Sequence, residues 1–197
     1  MNRCLSFIVA VVFMLVGAGA ATAQLAEGIE LFDRGEFSAA AEALSPLAKG
    51  GDATAQYILG SMYLNRMVEP PSETAAVDLL NSSGNAGFEK AQVELARMYR
   101  EGHGVPQDFA KSFLWSMKAA EGGDVGAQLQ VADSFAFGHG VDRNPVEAYK
   151  WYEIAVLYWG SLAVNARDVV AETMTPEQIA TAKEHAQAWI KAKADKN

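Results

Sequence analysis

Apolar and polar residues alternate with a helical period along the middle of the chain. The stretch AQVELARMYREG carries one apolar stripe, formed by Ala91, Leu95, Met98 and Tyr99. This spacing predicts an amphipathic helix, and Gly102 follows it as a residue suited to a left-handed helix end. A second helix is predicted up to Gly122-Gly123 by a further apolar series, Phe109, Phe113, Trp115 and Ala119.

This pair of helices recurs at a spacing of 36 residues. The tetrapeptide GHGV occurs at 102–105 and again at 138–141, and Trp115 recurs as Trp151. An Ala-Gln pair opens the pattern three times, at Ala55, Ala91 and Ala127. A fixed period of this length is typical of helical repeat proteins, in which each unit packs on its neighbours.

The repeat register also predicts where the second helix of each unit begins. Ser72, Asp108 and Asn144 occupy the same position in the three units, and all three residue types are favoured helix N-caps. Pro145 follows Asn144 at the first helical position, where its missing N–H does no harm. Three chemically different residues are therefore expected to perform the same capping role.

The GHGV segments are interpreted as joints between helices, not as sites. Their glycines provide backbone freedom at a helix end, and Val105 and Val141 can pack between helices. The alternative is that His103 and His139 bind a metal. Equivalent residues of stacked helices lie about 10 Å apart, whereas a metal needs its ligands at about 2 Å. The sequence therefore predicts neither a metal nor a cofactor.

The combined pattern A-Q-x-x-L-(A/G)-x-x-Y-x-x-G-x-G-V-x-x-D resembles the Sel-one-like repeats, which are relatives of the tetratricopeptide repeats. Unit 91–126 matches nearly throughout, whereas unit 55–90 has Arg66 to Pro71 in place of the glycine turn. The resemblance implies an all-α fold, a right-handed α-α solenoid of helix-turn-helix repeats. It also implies a protein that binds other proteins and is often exported from bacterial cells.

Two shorter units are expected to cap this array. The organisation predicted for the chain is a signal peptide at 1–23, a degenerate tetratricopeptide-like unit at 24–54, repeats at 55–90, 91–126 and 127–162, and capping helices at 163–197. The N-terminal unit includes a helix from Phe37 to Lys49. Near the C-terminus, Thr175 and Gln178 form a capping box for a helix that runs to about Lys191.

The first residues, Met1 to Ala23, have the features of a secretory signal. Arg3 precedes an unbroken apolar run from Phe7 to Val16, and small residues surround a cleavage site at Ala23. An uncleaved anchor or a buried helix is the alternative. Cleavage would remove Cys4, the only cysteine, and with it any disulfide or thiolate chemistry. The sequence therefore predicts an exported protein, periplasmic or secreted.

Charge and motifs limit the function further. Cleavage would remove Arg3 and leave 15 basic residues of the original 16 against 24 acidic ones, so that the net charge would change from −8 to −9. This balance disfavours nucleic acid as a partner. The serine hydrolase, penicillin-binding, zinc protease and phosphate-loop motifs are missing from the sequence. The expected function is a non-enzymatic scaffold, adaptor or regulator of the bacterial cell envelope.

Two alternatives accompany that interpretation: a cell-wall-related enzyme or accessory that binds penicillin or peptidoglycan, and a self-assembling structural protein. The expected partner is an envelope protein, the soluble domain of a membrane protein or a peptide, and the chain is expected to be a monomer. The candidate contacts are outward positions of the first helices, Ile58, Ser61, Glu94, Arg97, Gln130 and Asp133. Trp159 is either an exposed anchor or a packing residue, whereas Trp115 and Trp151 are expected in the core.

Overall fold

The computed structural model describes residues 19–69 and 72–195, apart from the side chains of residues 158 and 159. All regular secondary structure in this part of the chain is α-helical. The helices are α1 (described from 19 to 33), α2 (Phe37–Lys49), α3 (Ala53–Leu64), α4 (Glu73–Asn85), α5 (Glu89–Glu101), α6 (Phe109–Gly122), α7 (Val125–Phe137), α8 (Pro145–Trp159), α9 (Ser161–Ala171) and α10 (Pro176–Ala194).

The second helix of each repeat begins at the residue that the repeat register predicts. The Ser72 hydroxyl accepts a hydrogen bond from the Ala75 N–H at 3.2 Å, and the Asp108 carboxylate accepts one from the Lys111 N–H at 3.0 Å. The Asn144 side chain accepts bonds at 3.1 Å from the two N–H groups at 146 and 147. The capping prediction is confirmed in all three repeats.

Aspartates cap two of the first helices as well, a feature that the sequence interpretation did not include. Asp52 accepts from the Ala55 N–H at 2.8 Å, and Asp124 accepts from the Ala127 N–H at 2.6 Å. Both lie three residues before the alanine that opens a repeat. The capping box of Thr175 and Gln178 is formed as expected, and its helix α10 extends beyond Lys191 to Ala194.

Residues 1–88 form one compact unit, of which the structure describes 19–69 and 72–88. Its core consists of apolar side chains from α2 and α3, with Leu44 and Met62 fully buried. The α3 and α4 helices pack closely because Gly60 has no side chain: a β-carbon there would lie 3.0 Å from Leu80 Cγ. Burial of this apolar surface holds the unit together.

Residues 89–197 form a second compact unit, described as far as 195. Its core combines α6, α7, α8 and α10, with Val131, Trp151 and Ile154 buried among alanines. The indole of Trp189 on α10 meets that of Trp151 edge to face, with 5.6 Å between the ring centroids. The Lys193 ammonium donates to the Gly122 carbonyl at 3.0 Å, so α10 also reaches the end of α6.

The two GHGV segments form the same turn. In each, two glycines have left-handed backbone angles, with φ of +74° and +73° at 102 and 104, and of +78° and +77° at 138 and 140. The N–H groups of His103 and His139 donate to the carbonyls of Met98 and Ser134, which ends each first helix. The interpretation of GHGV as a joint is confirmed.

The histidine side chains have local packing contacts in these turns. The His139 ring stacks on Phe109 with 5.9 Å between centroids, and His103 Nδ1 lies 3.5 Å from a guanidinium nitrogen of Arg97. In the part of the chain that the structure describes, no three His, Cys, Asp or Glu side chains are grouped to hold a metal ion. No helix within that part has both the length and the apolar character of a membrane span.

Candidate functional site

A groove near the C-terminal end of the second unit forms a concave apolar surface. We call it the C-terminal groove. It has a volume of about 360 Å³ and lies between the end of α7, the turn that follows it, the start of α8, and α9. Its apolar lining is formed mainly by Ala136, Phe137, Leu162, Ala166, Val169 and Val170. Ligand pockets in proteins commonly fall in a similar range, roughly 300–1,000 Å³.

Three large apolar side chains of this lining are exposed. Phe137 is 64% exposed, Leu162 60% and Val169 63%. Single exposed apolar residues are common on protein surfaces, but several around one concavity indicate a binding surface. The ring of Phe137 lies beside the ring of His139, with 5.9 Å between their centroids.

Polar groups of the groove are few and fixed in position. The Arg143 Nε–H donates to the Ala136 carbonyl at 2.9 Å, which directs the guanidinium along the turn. The Tyr152 hydroxyl donates to the Asp133 carboxylate at 2.5 Å. Burial, together with this carboxylate, raises the pKa of Tyr152 above its ordinary range, so the hydroxyl stays a neutral donor. Asn165 and Thr173 complete the polar part of the lining.

The predicted contact residues on α5 are engaged with one another. The Arg97 guanidinium donates to Glu94 at 2.6 Å and to Glu101 at 2.8 Å. The hydrogen bond that Arg97 donates to Glu94 is the main reason that the pKa of Arg97 is raised. The hydrogen bond from Arg100 is the main reason that the pKa of Glu101 is lowered. This chain of charges on α5 is half-buried to exposed and remains open to solvent.

The predicted contact residues on α7 are linked to neighbouring helices. Gln130 accepts a hydrogen bond from the Arg100 guanidinium, which connects α7 with α5. Asp133 is exposed and accepts the Tyr152 hydroxyl of α8. A smaller cavity of about 240 Å³, lined partly by Arg97, Arg100 and Gln130, lies along this seam.

The remaining candidates lie apart from this seam. Ile58 is half-buried and packs against the core of the first unit, and Ser61 is half-buried on the same helix. The side chain of Trp159 lies outside the described residues. Trp115 and Trp151 are buried, as expected. Two of the glutamines that follow the opening alanines bond between helices: Gln56 donates to the Ala48 carbonyl at 3.0 Å and Gln128 to the Ala120 carbonyl at 3.5 Å.

The sequence interpretation missed the C-terminal groove. A signal for it exists in the spacing of Leu162, Ala166 and Val169, which places these residues on one stripe of α9. The same helix buries Ala163 about a quarter turn away. The two sets look like one apolar face in the sequence, so the pattern does not show that part of this face stays exposed.

Chemically, these surfaces are suited to contact with another macromolecule. The charged groups on α5 are paired with one another, and the groove presents apolar area with one cation. Apolar area that a partner can bury and polar groups that can pair with it are both common components of protein interfaces.

Comparison with known proteins identifies the repeat. The sequence pattern of the Sel1 repeat matches residues 53–88, 89–124 and 125–156, which together make up more than half of the chain. The matched units have the expected period and begin two residues earlier than the alanines that open each repeat. No curated protein matches the chain.

Solved structures show the same fold. The chain is similar to c5321, a protective antigen present in uropathogenic Escherichia coli strains that displays an SLR fold, with 23% identity, a TM-score of 0.56 and 89% of this chain covered. The chain spans 46% of the length of that protein. It is also similar to a Sel1 repeat protein from Oxalobacter formigenes, with 32% identity, a TM-score of 0.58, and coverage of 64% of this chain and 95% of that one.

These findings confirm the expected all-α solenoid of helix-turn-helix repeats. Sel1 repeat proteins are generally scaffolds for protein–protein interaction, and the fold is typically non-enzymatic. The three matched repeats and the capped helix pairs that form them lead to one assignment: the chain belongs to the Sel1 repeat family.

Proposed function

We propose that this protein is an exported, non-enzymatic scaffold of the bacterial cell envelope that binds another protein. The observation that carries the proposal is the C-terminal groove, where Phe137, Leu162 and Val169 are exposed around one cavity. Burying such side chains against a partner would be worth about 25 cal/mol for each Å² of apolar surface. The general role of Sel1 repeats as interaction scaffolds supports the same function.

The cellular location is part of the proposal and rests on the sequence of the first 23 residues. Arg3, the apolar run from Phe7 to Val16 and the small residues before Ala23 favour export. Residues 1–18 lie outside the described part of the chain. Fractionation of cells that produce the tagged protein tests the location: recovery of a shortened chain in the periplasm or medium is expected, and full-length cytoplasmic protein would contradict it.

The partner we propose is an envelope protein, the soluble domain of a membrane protein or a peptide. The test is capture from an envelope fraction, followed by a binding measurement with the identified protein in purified form. Val169→Asp should weaken that binding, because it places a carboxylate in the apolar groove. Leu114→Asp is the matched control, since Leu114 is also 60% exposed but lies on α6, away from the groove.

The outward side of the first helices of the repeats, α5 and α7, is a second surface that this partner can bind. Charge reversal at Glu94 and Asp133 should slow association at low salt if the partner approaches along α5 and α7, because exposed charges act mainly on the association rate.

A labelled penicillin tests the alternative function, that of a cell-wall-related protein that binds penicillin or peptidoglycan. Covalent or saturable capture of that probe by the purified protein would contradict the scaffold function.

A further inference from the structure

The α9 helix carries apolar residues on two adjacent sides. Its inner side packs on α8 and buries Ala163, while Val170 contacts the core of the second unit. Its outer side presents Leu162 and Val169, which are exposed. At 3.6 residues per turn these two residues lie about 100° around the helix from Ala163, next to the buried face, while Ser161, Asn165 and Asp168 form the polar side. Part of the apolar face of α9 is therefore left uncovered.

The outer side has the geometry of a helix-packing seam. Leu162, Ala166 and Val169 follow one another at intervals of four and three residues, and Thr173 lies in the turn after the end of α9. This is the spacing at which one helix meets another along its length. The stripe from Leu162 to Val169 covers eight residues, about 10 Å at the rise of an α-helix. A linear stripe with this spacing is matched by a second helix better than by a compact small molecule.

The charge of the groove defines the partner further. Arg143 is the one charged residue of the lining, and its Nε–H is already engaged by the Ala136 carbonyl. None of the carboxylates in the described residues forms an ion pair with it. A partner that covers the groove would remove water from this guanidinium, and a buried cation without a carboxylate is costly. A suitable partner therefore brings its own acidic side chain.

We propose, building on the scaffold function above, that the C-terminal groove receives an amphipathic helix of a partner protein. Its apolar residues, spaced three and four apart, pack on the stripe of α9 and against Phe137. An Asp or Glu beside those residues pairs with Arg143. A second copy of this chain is the alternative occupant, and the oligomeric state of the purified protein distinguishes it.

Two synthetic helical peptides test this proposal with the purified protein. Both carry leucines at i, i+4, i+7 and i+11; one has flanking glutamates and the other has lysines at the same positions. Fluorescence anisotropy should show binding of the glutamate peptide at least about tenfold tighter than that of the lysine peptide. Val169→Asp should weaken the glutamate peptide by a similar factor, whereas the control Leu114→Asp should leave it unchanged.

Arg143→Glu provides the charge test. It should reverse the preference, so that the lysine peptide binds more tightly than the glutamate peptide. Thermal unfolding by circular dichroism shows whether each variant is folded before its binding is interpreted. Failure of both peptides to bind wild-type protein would overturn the proposal. An unchanged preference in folded Arg143→Glu would overturn it as well.

Sedimentation of the purified protein tests whether a second copy of this chain occupies the C-terminal groove instead of a partner helix. If the wild-type protein forms a dimer that Val169→Asp dissociates, the groove is covered by a second copy and the proposal is wrong. These failures are distinguishable from failure of the scaffold function. An envelope protein that still binds the purified wild-type chain, and whose binding Val169→Asp does not affect, would retain the scaffold function while excluding the helix-binding groove.

Discussion

Gly140 lies directly against the backbone of Phe109, so the turn of one repeat rests on the first residue of α6 in the preceding repeat. A β-carbon on Gly140 would overlap the Phe109 carbonyl and lie 2.7 Å from the Ala110 nitrogen. The residue also has φ of +77°, a conformation that favours glycine. The joint is thus a contact between repeats as well as a helix end.

Gly140→Ala should lower the free energy of unfolding substantially. The left-handed backbone alone costs a non-glycine residue about 1 kcal/mol, and displacement of the α6 backbone adds about 1–3 kcal/mol. Gly51→Ala is the matched control, because Gly51 also has positive φ but open space around it. Denaturant unfolding of both variants checks this. Equal losses in the two would show that the contact with Phe109 contributes nothing.

Arg66 occupies the position at which the next two repeats have Gly102 and Gly138. It adopts φ of +56° and is the one non-glycine residue with positive φ in the described chain. Arg66→Gly should therefore be more stable than Arg66→Ala by about 1 kcal/mol. The alanine variant removes the exposed ion pair with Glu73 while keeping the backbone strain. Thermal unfolding of the pair measures the difference, and an alanine variant as stable as the glycine variant would contradict it.

The helices could be predicted from the sequence because their signals are local. Ser72, Asp108 and Asn144 cap helices through backbone groups two or three residues away, and the repeat period aligns them. Equivalent core positions of successive repeats have similar neighbours. Burial of the two repeat tryptophans therefore followed from register alone.

The candidate site was less accessible to sequence reasoning, since it depends on neighbours from other helices. Asp133 was expected to face outward and does so, but its carboxylate also receives the hydroxyl of Tyr152, nineteen residues away. The repeat period does not predict this hydrogen bond, because the residue equivalent to Asp133 in the preceding repeat is Arg97, which has the opposite charge. The C-terminal groove likewise depends on α9, which lies beyond the last matched repeat.

Trp189→Ala should destabilise the second unit. The indole covers Trp151 edge to face at 5.6 Å, and aromatic pairs of this kind contribute about 0.5–1.5 kcal/mol beyond the surface that they bury. Loss of a half-buried tryptophan should therefore cost about 2–3 kcal/mol. Lys193→Ala is a milder control, since it removes the exposed bond to the Gly122 carbonyl and a cation contact 5.6 Å from the centre of the Trp189 ring but leaves the indole in place. Urea unfolding followed by circular dichroism checks both, and a silent Trp189→Ala would exclude a capping role for α10.

The buried hydroxyl of Tyr152 donates to the Asp133 carboxylate at 2.5 Å. Tyr152→Phe should cost about 1.5 kcal/mol at neutral pH, because the bond has a charged acceptor. Burial and the carboxylate raise the pKa of Tyr152, whereas an unfolded tyrosine ionises near its ordinary value of 10.0. A raised pKa stabilises the folded state below the unfolded value, and this contribution is lost as the pH rises above it.

The advantage of the wild type over Tyr152→Phe should therefore be constant up to about pH 9 and should decrease between about pH 10 and 11, because only the wild type loses a proton there on unfolding. Denaturant unfolding at several pH values measures this difference while cancelling the other titrating groups. Asp133→Asn is a second variant for this test, because it keeps a hydrogen-bond acceptor but removes the charge. Its free energy of unfolding should therefore decrease less at alkaline pH than that of the wild type. A difference between the wild type and Tyr152→Phe that stays flat to pH 11 would mean that the hydroxyl ionises equally well in both states, and the bond to Asp133 would not hold its proton.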